Sequence, residues 1–347
     1  MGLDALAIRW AEQGQLPDAL VRTGIRQIVR SRRRSLQRAQ RHGAGEATRA
    51  FGQRMRSQPI AVQTQAANEQ HYELPAEFFA LVLGPQRKYS CGWWREGVRT
   101  LDGAERAALE ATCERAQLAD GQRILELGCG WGSLTLWMAD RLPRSTIIAV
   151  SNSHSQREYI LDQAARRSLR NIEVRVADMN RFEFPPGLDR VVSVEMFEHM
   201  RNWPALVQRI ADSLVPGGKF FMHVFCHREV PYLYEDEDAS DWMSRYFFSG
   251  GIMPSDALAA ECQDHLALLR QWRWDGTHYQ RTARAWLDNL DRERERALAI
   301  LSRTYGAGQA GLWFQRWRMF FMACEELFGY RAGQEWWVTH SLFERRA

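Results

Sequence analysis

The segment Ile124–Ala139, ILELGCGWGSLTLWMA, constrains the fold more than any other part of the chain. An apolar run ends at Leu127, glycines follow at alternate positions (Gly128, Gly130, Gly132), and a helical pattern begins. Glycine lets a backbone turn sharply and lets a ligand approach it closely. A strand, a glycine loop and a helix in that order form the ligand-binding edge of an open α/β sheet. The spacing is GxGxG rather than GxGxxG, and Glu126 stands just before it. That combination suits the carboxyl–amino tail of a cofactor better than a pyrophosphate.

The flanking pattern agrees. Apolar strands are predicted at Arg123–Leu127, Thr146–Val150, Ile172–Val176, Asp189–Val194 and Lys219–Phe225, with helices at Ser133–Leu142, Gln156–Ser168 and Pro204–Leu214. Such alternation implies an α/β fold with a mostly parallel sheet, helices on both faces and right-handed crossovers. Beyond residue 228 the alternation stops. An acidic stretch from Glu235 to Asp238 leads into RYFFSGGIMPS, aromatic helices are expected near 282–303 and 308–328, and a last strand in WWVTHSLFERR. The expected organisation is a basic helical extension over 1–58, a helical connecting region over 59–118 with a helix near 103–118, a core over 119–228, and an aromatic-rich helical cap over 229–347.

In the extension, Val21, Ile25, Ile28, Val29 and Leu36 recur at helical spacing, with Arg22, Arg26, Arg30, Arg33 and Arg34 between them. The expectation is a surface helix docked by its apolar stripe with its arginines solvated, followed by a break at Gly43–Gly45. Contact with anionic lipid is the sharper alternative. A net charge of only +4 argues against a nucleic-acid partner, and of 46 basic side chains only Lys88 and Lys219 are lysines. The six cysteines form no CxxC pair and no zinc-like spacing, so reduced thiols in a cytoplasmic protein and no metal are expected. No secretory signal and no apolar run near the ~20 residues of a membrane span is present.

Polar residues gather at the predicted strand ends. Ser151, Asn152 and Gln156 follow the second strand, where neutral hydroxyls and amides can pair with a ribose as well as cap a turn. Asp178 and Met179 follow the third, placed to accept from an adenine amino group and to cover its ring; Asp178 also suits a helix cap. After the fourth strand, VEMFEHM brings Glu195, Glu198 and His199 within five residues, on one face if the chain turns helical there. Two carboxylates and an imidazole among Met196, Phe197 and Met200 should have displaced pKa values.

The stretches YELPAEFFALVLG, KYSCGWW, LELGCGWGS, EMFEHM, RYFFSGGIMPS, WRMFFMACEELFGY and EWWVTH resemble the cyclopropane-fatty-acid synthase superfamily, and within it the plant coclaurine N-methyltransferases and their bacterial relatives. The resemblance runs from about residue 60 to 345. It implies a Rossmann-like class I methyltransferase with a seven-stranded sheet and S-adenosylmethionine as cofactor. It implies cofactor contacts from Tyr89, Ser90, Gly128, Gly130, Ser151, Asn152 and Gln156. Catalysis would fall to Glu195, Glu198 and His199, as base and charge stabilisers. In the lipid-modifying members, the positions of Cys91, Glu198, His223 and Tyr279 hold a bicarbonate ion, but those enzymes typically carry Gly where this chain has Glu195. Two acceptors therefore stay open: a small aromatic or cyclic amine, walled by Trp242, Trp313, Tyr330 and Trp336, or an unsaturated acyl chain, with the basic helix at the membrane. A homodimer stays open as well.

Overall fold

The computed structural model describes residues 3–39, 43–62, 74–235 and 241–346. Tyr72 and Glu73 of the YELPAEFF stretch, and Asp236, Glu237 and Asp238 of the acidic run, lie outside them.

The core strands form where the sequence is continuously apolar, as expected of strands covered on both faces. They are β1 (Arg123–Leu127), β2 (Thr146–Ser151), β3 (Ile172–Val176), β4 (Leu188–Val194) and β5 (Leu214–His227). The seven-stranded sheet has the order β3-β2-β1-β4-β5-β9-β8. Strands β1 to β5 are parallel; β9 (Trp336–Arg345) runs antiparallel between β5 and β8 (Leu266–Trp274). Side chains alternate between two cores. Ile124, Ile147, Val192 and Phe221 pack with Leu109 of α5 (Leu101–Arg115) and with Leu134 and Met138 of α6 (Ser133–Arg141). Leu125, Ile148, Val191 and Phe220 pack with Trp203, Leu206 and Ile210 of α8 (Trp203–Ser213) on the other face. Between them in the chain, α7 (His154–Arg166) covers Ala149 and Val174 with Ile160 and Ala164. The strand order reverses between β1 and β4, so a crevice opens there beyond the C-terminal strand ends.

The extension consists of α1 (Leu3–Glu12), α2 (Asp18–Ala39) and α3 (Ala44–Met55). The break falls at Gly43, and Gly45 already belongs to α3. Val21, Val29 and Leu36 are buried and Ile25 half-buried, but Ile28 faces solvent. The expected solvation of the arginines is corrected. Arg22 bridges Glu325 and Glu326 at 2.7 and 2.9 Å, Arg26 binds Glu326 at 2.6 Å, and Arg33 binds Glu335 at 3.2 Å; Arg30 and Arg34 are exposed. These carboxylates belong to the cap, so the basic face of α2 is largely spent on the protein itself. Among the described residues no helix is long and apolar enough to cross a membrane.

After the short α4 (Ala76–Val82), the helix expected near 103–118 is α5. The cap leaves β5 at His227 and returns at Trp336, its register partner on β9. It holds the short strands β6 (Tyr232–Leu233) and β7 (Ile252–Met253), α9 (Trp242–Tyr246), the edge strand β8, and then α10 (Gly276–Arg292), α11 (Arg294–Tyr305) and α12 (Ala310–Phe328). The single helix expected over 282–303 is thus two helices that meet at Glu293, whose φ of −96° and ψ of 21° end the first. The strand β8 has no counterpart in the sequence reading: LALLRQWRW shows no clean two-residue alternation, as befits an edge strand with a register shift.

Candidate active site

The glycine loop takes its shape from contacts on both sides. The N–H groups of Gly128 and Cys129 both donate to the carbonyl of Val150, at 3.0 and 2.9 Å, folding the loop back on β2. Gly128 has φ +77°, and a Cβ there would lie 2.6 Å from Met196 Cγ. Gly130 faces open space, with nothing within 4 Å of where its Cβ would stand. Above it lies a cleft of about 1280 Å³, counted to its open mouth.

Tyr89, Ser90, Glu126, Gly128, Gly130, Ser151, Asn152, Gln156, Asp178 and Met179 all line this one cleft. Glu126 is buried and accepts from Thr135 Oγ1 at 2.5 Å; burial pushes its carboxyl up to about 8. Ser151 Oγ donates to Gln156 Oε1 at 2.6 Å, which turns the amide nitrogen of Gln156 outward without a partner. Asp178 Oδ1 accepts from the backbone N–H of Asn180 at 2.8 Å, so it also closes its own turn. Trp131 and Ser133 line the same space, and Trp131 Nε1 and Ser133 Oγ are likewise buried without partners. Three buried donors that find no acceptor among the described residues, around a loop that leaves open space, fit an elongated polar ligand that carries acceptors.

At the end of β4 the chain makes a turn that a continuous helix would not. Glu195 adopts φ +49°, a left-handed conformation uncommon outside glycine, and its N–H donates to His223 O at 2.9 Å. The kink aims the Glu195 side chain inward. Its Oε1 accepts from the Cys91 N–H at 2.8 Å and faces His223 Nε2 at 3.1 Å, and its Oε2 accepts from Tyr279 Oη at 2.6 Å. Burial raises the Glu195 pKa; Lys88, the Cys91 N–H, Tyr279 and His199 pull against it. Only Phe197–His199 forms a 3-10 turn, so Glu195, Glu198 and His199 do not share a helical face.

The three expected catalytic residues therefore sit differently. Glu195 and His199 line the cleft together with Met196 and Met200. His199 packs against the Phe248 ring at 4.5 Å, and burial lowers its pKa to about 4, so its imidazole is neutral near pH 7. Glu198 lies a layer deeper, with Oε1 accepting from the Phe225 N–H at 2.7 Å and Oε2 unpartnered. Burial first, and the charge of Glu195 second, push its pKa well up, which favours the protonated acid at this position.

Trp242, Trp313, Tyr330 and Trp336, expected to wall an amine, stand outside the lining of the donor cleft. Trp242 donates from Nε1 to Glu12 at 3.0 Å, tying the cap to α1. Trp313 stacks on Tyr305 at 4.4 Å. Trp336 is fully buried and donates to Tyr232 Oη at 3.2 Å, with Tyr330 edge-on to its ring. The rings that do approach the catalytic groups are Phe248 on His199 and Phe328, stacked on Tyr279 at 4.3 Å. Both occur in stretches quoted for the family resemblance, RYFFSGG and EELFGY, but nothing local distinguishes them from the neighbouring aromatics. The structure also adds Lys88, whose buried ammonium donates to Ser90 Oγ at 2.5 Å and to Cys91 O at 2.8 Å.

Residues 61–336 match the family described as mycolic acid cyclopropane synthetase. The chain belongs to that family. It is 36% identical over 296 residues to (S)-coclaurine N-methyltransferase of Thalictrum flavum subsp. glaucum, covering 84% of this chain and 82% of the relative. It is 27% identical to the cyclopropane-fatty-acyl-phospholipid synthase of Escherichia coli K12, over 72% of this chain and 63% of that one. A crystal structure of coclaurine N-methyltransferase with N-methylheliamine and S-adenosylhomocysteine superposes with a TM-score of 0.90 at 34% identity, covering 98% of this chain and 99% of the other. As a member of this family, the chain is a Rossmann-like, S-adenosylmethionine-dependent methyltransferase. The cleft's open loop, its three unsatisfied donors and the buried Glu126 fit that cofactor's carboxyl, amino and nucleoside groups. Among the described residues no three His, Cys, Asp or Glu side chains converge as a metal site.

Proposed function

We propose that this family member methylates the nitrogen of a small cyclic or aromatic amine. One observation carries the reading: the Glu195 carboxylate occupies the point where the Cys91 N–H, His223 Nε2 and Tyr279 Oη converge. By the resemblance, these positions hold a free bicarbonate in the lipid-modifying enzymes. Here the protein supplies the anion covalently, at the wall of the donor cleft. A fixed carboxylate favours a cationic amine over a neutral acyl chain. The coclaurine N-methyltransferase relatives support the same acceptor class.

Bound S-adenosylmethionine supplies an electrophilic methyl group on a positively charged sulfur. The residues of this chain do the rest. The glycine loop, Glu126 and Gln156 fix the donor, and Phe248 and the Tyr279–Phe328 pair brace His199 and Glu195 where the acceptor would meet them; alignment of this kind can supply about 7–11 kcal/mol. Glu195 draws the ammonium form into the site. His199, unprotonated near pH 7, takes the amine's proton in passing and hands it on to water, its own pKa near 4 being too low to keep it, so that the nitrogen lone pair is exposed; general-base help of this kind contributes about 10²–10⁴ in rate. As positive charge appears on nitrogen, Glu195 stands ready beside it, held by the Cys91 N–H and Tyr279 Oη and flanked by His223 Nε2, none of which need reorganise.

The test is an acceptor screen. Purified protein with methyl-labelled cofactor is offered a panel of cyclic amines, including tetrahydroisoquinolines, and vesicles of unsaturated phospholipid. Label is expected on amines. Label on vesicle lipid with none on amines overturns the reading.

A further inference from the structure

The mechanism above makes no use of Lys88, yet it is the buried cation of the site. It is 3% exposed in a chain that uses lysine at only two positions. Its ammonium holds two oxygens that belong to different tasks. Ser90, at 2.5 Å, lines the donor cleft. Cys91, gripped by its carbonyl at 2.8 Å, presents its own N–H to Glu195 Oε1 at 2.8 Å. One side chain thus ties the cofactor-facing stretch to the residue whose N–H holds the catalytic carboxylate. A compact ammonium on a flexible stem suits two oxygens in a closed space, where a planar guanidinium would need a wider fork.

We propose that Lys88 is a positioning residue for methyl transfer: it braces Cys91, whose N–H meets Glu195, and sets a positive charge near that carboxylate beside the donor. Its kinetic consequences rest on the amine reading above. The electrostatic surroundings of Glu195 make Lys88 the decisive cation. On its own turn stand Glu198 and a neutral His199. From β5 comes neutral His223, backed by neutral His340 of β9 and, farther out, by Arg115 of α5. Tyr279 of α10, Cys324 of α12 and Cys91 are all held protonated by burial. Glu105 of α5 lies behind Lys88 and anchors the N–H groups of Gly84 and Gln86. Burial lowers the Lys88 pKa and the neighbouring Glu195 carboxylate pulls it back up; in return, the Lys88 charge offsets the burial of Glu195.

The experiment compares full-length wild type, Lys88→Met and Lys88→Arg. Binding of S-adenosylmethionine and S-adenosylhomocysteine is titrated across pH, and kcat and KM are measured for an amine acceptor. The sulfonium donor carries a charge that the product lacks, so its preference over the product reports whether Glu195 is ionised. In Lys88→Met, kcat should fall about tenfold or more with KM for the amine little changed, and the acid limb of kcat/KM should move up by about one pH unit. The pH at which the donor-over-product preference disappears should move up with it, and Lys88→Arg should bring both midpoints back toward wild type. If Lys88→Met does not fold, Lys88→Gln applies the same test. A neutral variant with unmoved midpoints, or a loss confined to cofactor affinity with kcat and the acid limb intact, overturns the proposal. If the wild type methylates no amine, the function reading fails alone, and the donor-over-product midpoint still decides the role of Lys88.

Discussion

Cofactor binding should release a proton from Glu126. The carboxyl is buried beneath the glycine loop, with Thr135 Oγ1 as its hydrogen-bond donor, and burial pushes its pKa up to about 8. In the free protein at pH 7 it is therefore about 90% protonated, and at pH 8 about half. The α-ammonium of a bound cofactor offers it a positive partner, which favours the ionised form. Binding at pH 7 should then release about 0.9 proton per site and at pH 8 about 0.5, and affinity should fall about tenfold between pH 7 and pH 6. Calorimetric titration with S-adenosylhomocysteine in buffers of different ionisation enthalpy measures the proton count directly. The product is preferred as ligand because it lacks the sulfonium charge and so leaves Glu195 uninvolved. Glu126→Gln should bind more weakly and release no proton at this site. A wild-type enthalpy that does not depend on the buffer would refute the reasoning, because either the carboxyl is already ionised or the ammonium does not meet it.

Four further outcomes are expected. Glu195→Gly should lose about 10²–10⁴ in kcat and regain part of it with millimolar formate or bicarbonate, since the Cys91 N–H, His223 and Tyr279 would still converge on an anion-sized space; a methyl-transfer assay without rescue removes that anion seat. His199→Ala should lose a similar factor while holding cofactor affinity within about threefold, and wild-type kcat/KM should show no limb from His199 between pH 6 and 8, its own titration lying near 4. Stability of the cofactor-free protein should fall between pH 6.5 and 8. There Glu126 and Glu105 bind protons more tightly folded than unfolded, while His199, His223, His278 and His340, neutral when folded and partly protonated near pH 6.5 when unfolded, oppose part of the fall. Glu126 alone accounts for about 1.5 kcal/mol, read from urea melts against Glu126→Gln. Arg22→Ala should cost about 1–2 kcal/mol and expose α2 to proteolysis, because this half-buried guanidinium bridges Glu325 and Glu326; a chain that melts and cleaves like wild type would show that the ion pairs add nothing.

What the sequence reveals is what repeats locally. Apolar runs separated by helical periods locate β1 to β5 to within a few residues, and the glycine loop gives the ligand edge. The polar residues expected after the second and third strands, Glu126 and Tyr89–Ser90 line one cleft, and Glu195 and His199 join them without Glu198, because a parallel sheet brings its strand ends together whatever the details. Depth is not local. Glu195 and Glu198 are three residues apart, yet a left-handed φ at the first sends one carboxylate to the cleft wall and leaves the other behind it. Partners distant in sequence are equally hidden: the carboxylates that neutralise Arg22 and Arg26 stand about 300 residues later. Among so many aromatics, composition could not tell Phe248 and Phe328, which meet catalytic side chains, from Trp242 and Trp313, which pack the cap.

The cap departs and returns through neighbouring strands, at His227 and Trp336. Its two ends therefore lie side by side, and everything between them is an exchangeable module that brings its own edge strand. A protein of this shape can change the molecule it modifies by replacing that module while the donor half stays untouched. Among the conditions of such a graft, the newcomer must present a hydroxyl to Glu195 where Tyr279 does, an acceptor to Gly92 where Thr282 does, and carboxylates to Arg22 and Arg26 where Glu325 and Glu326 do.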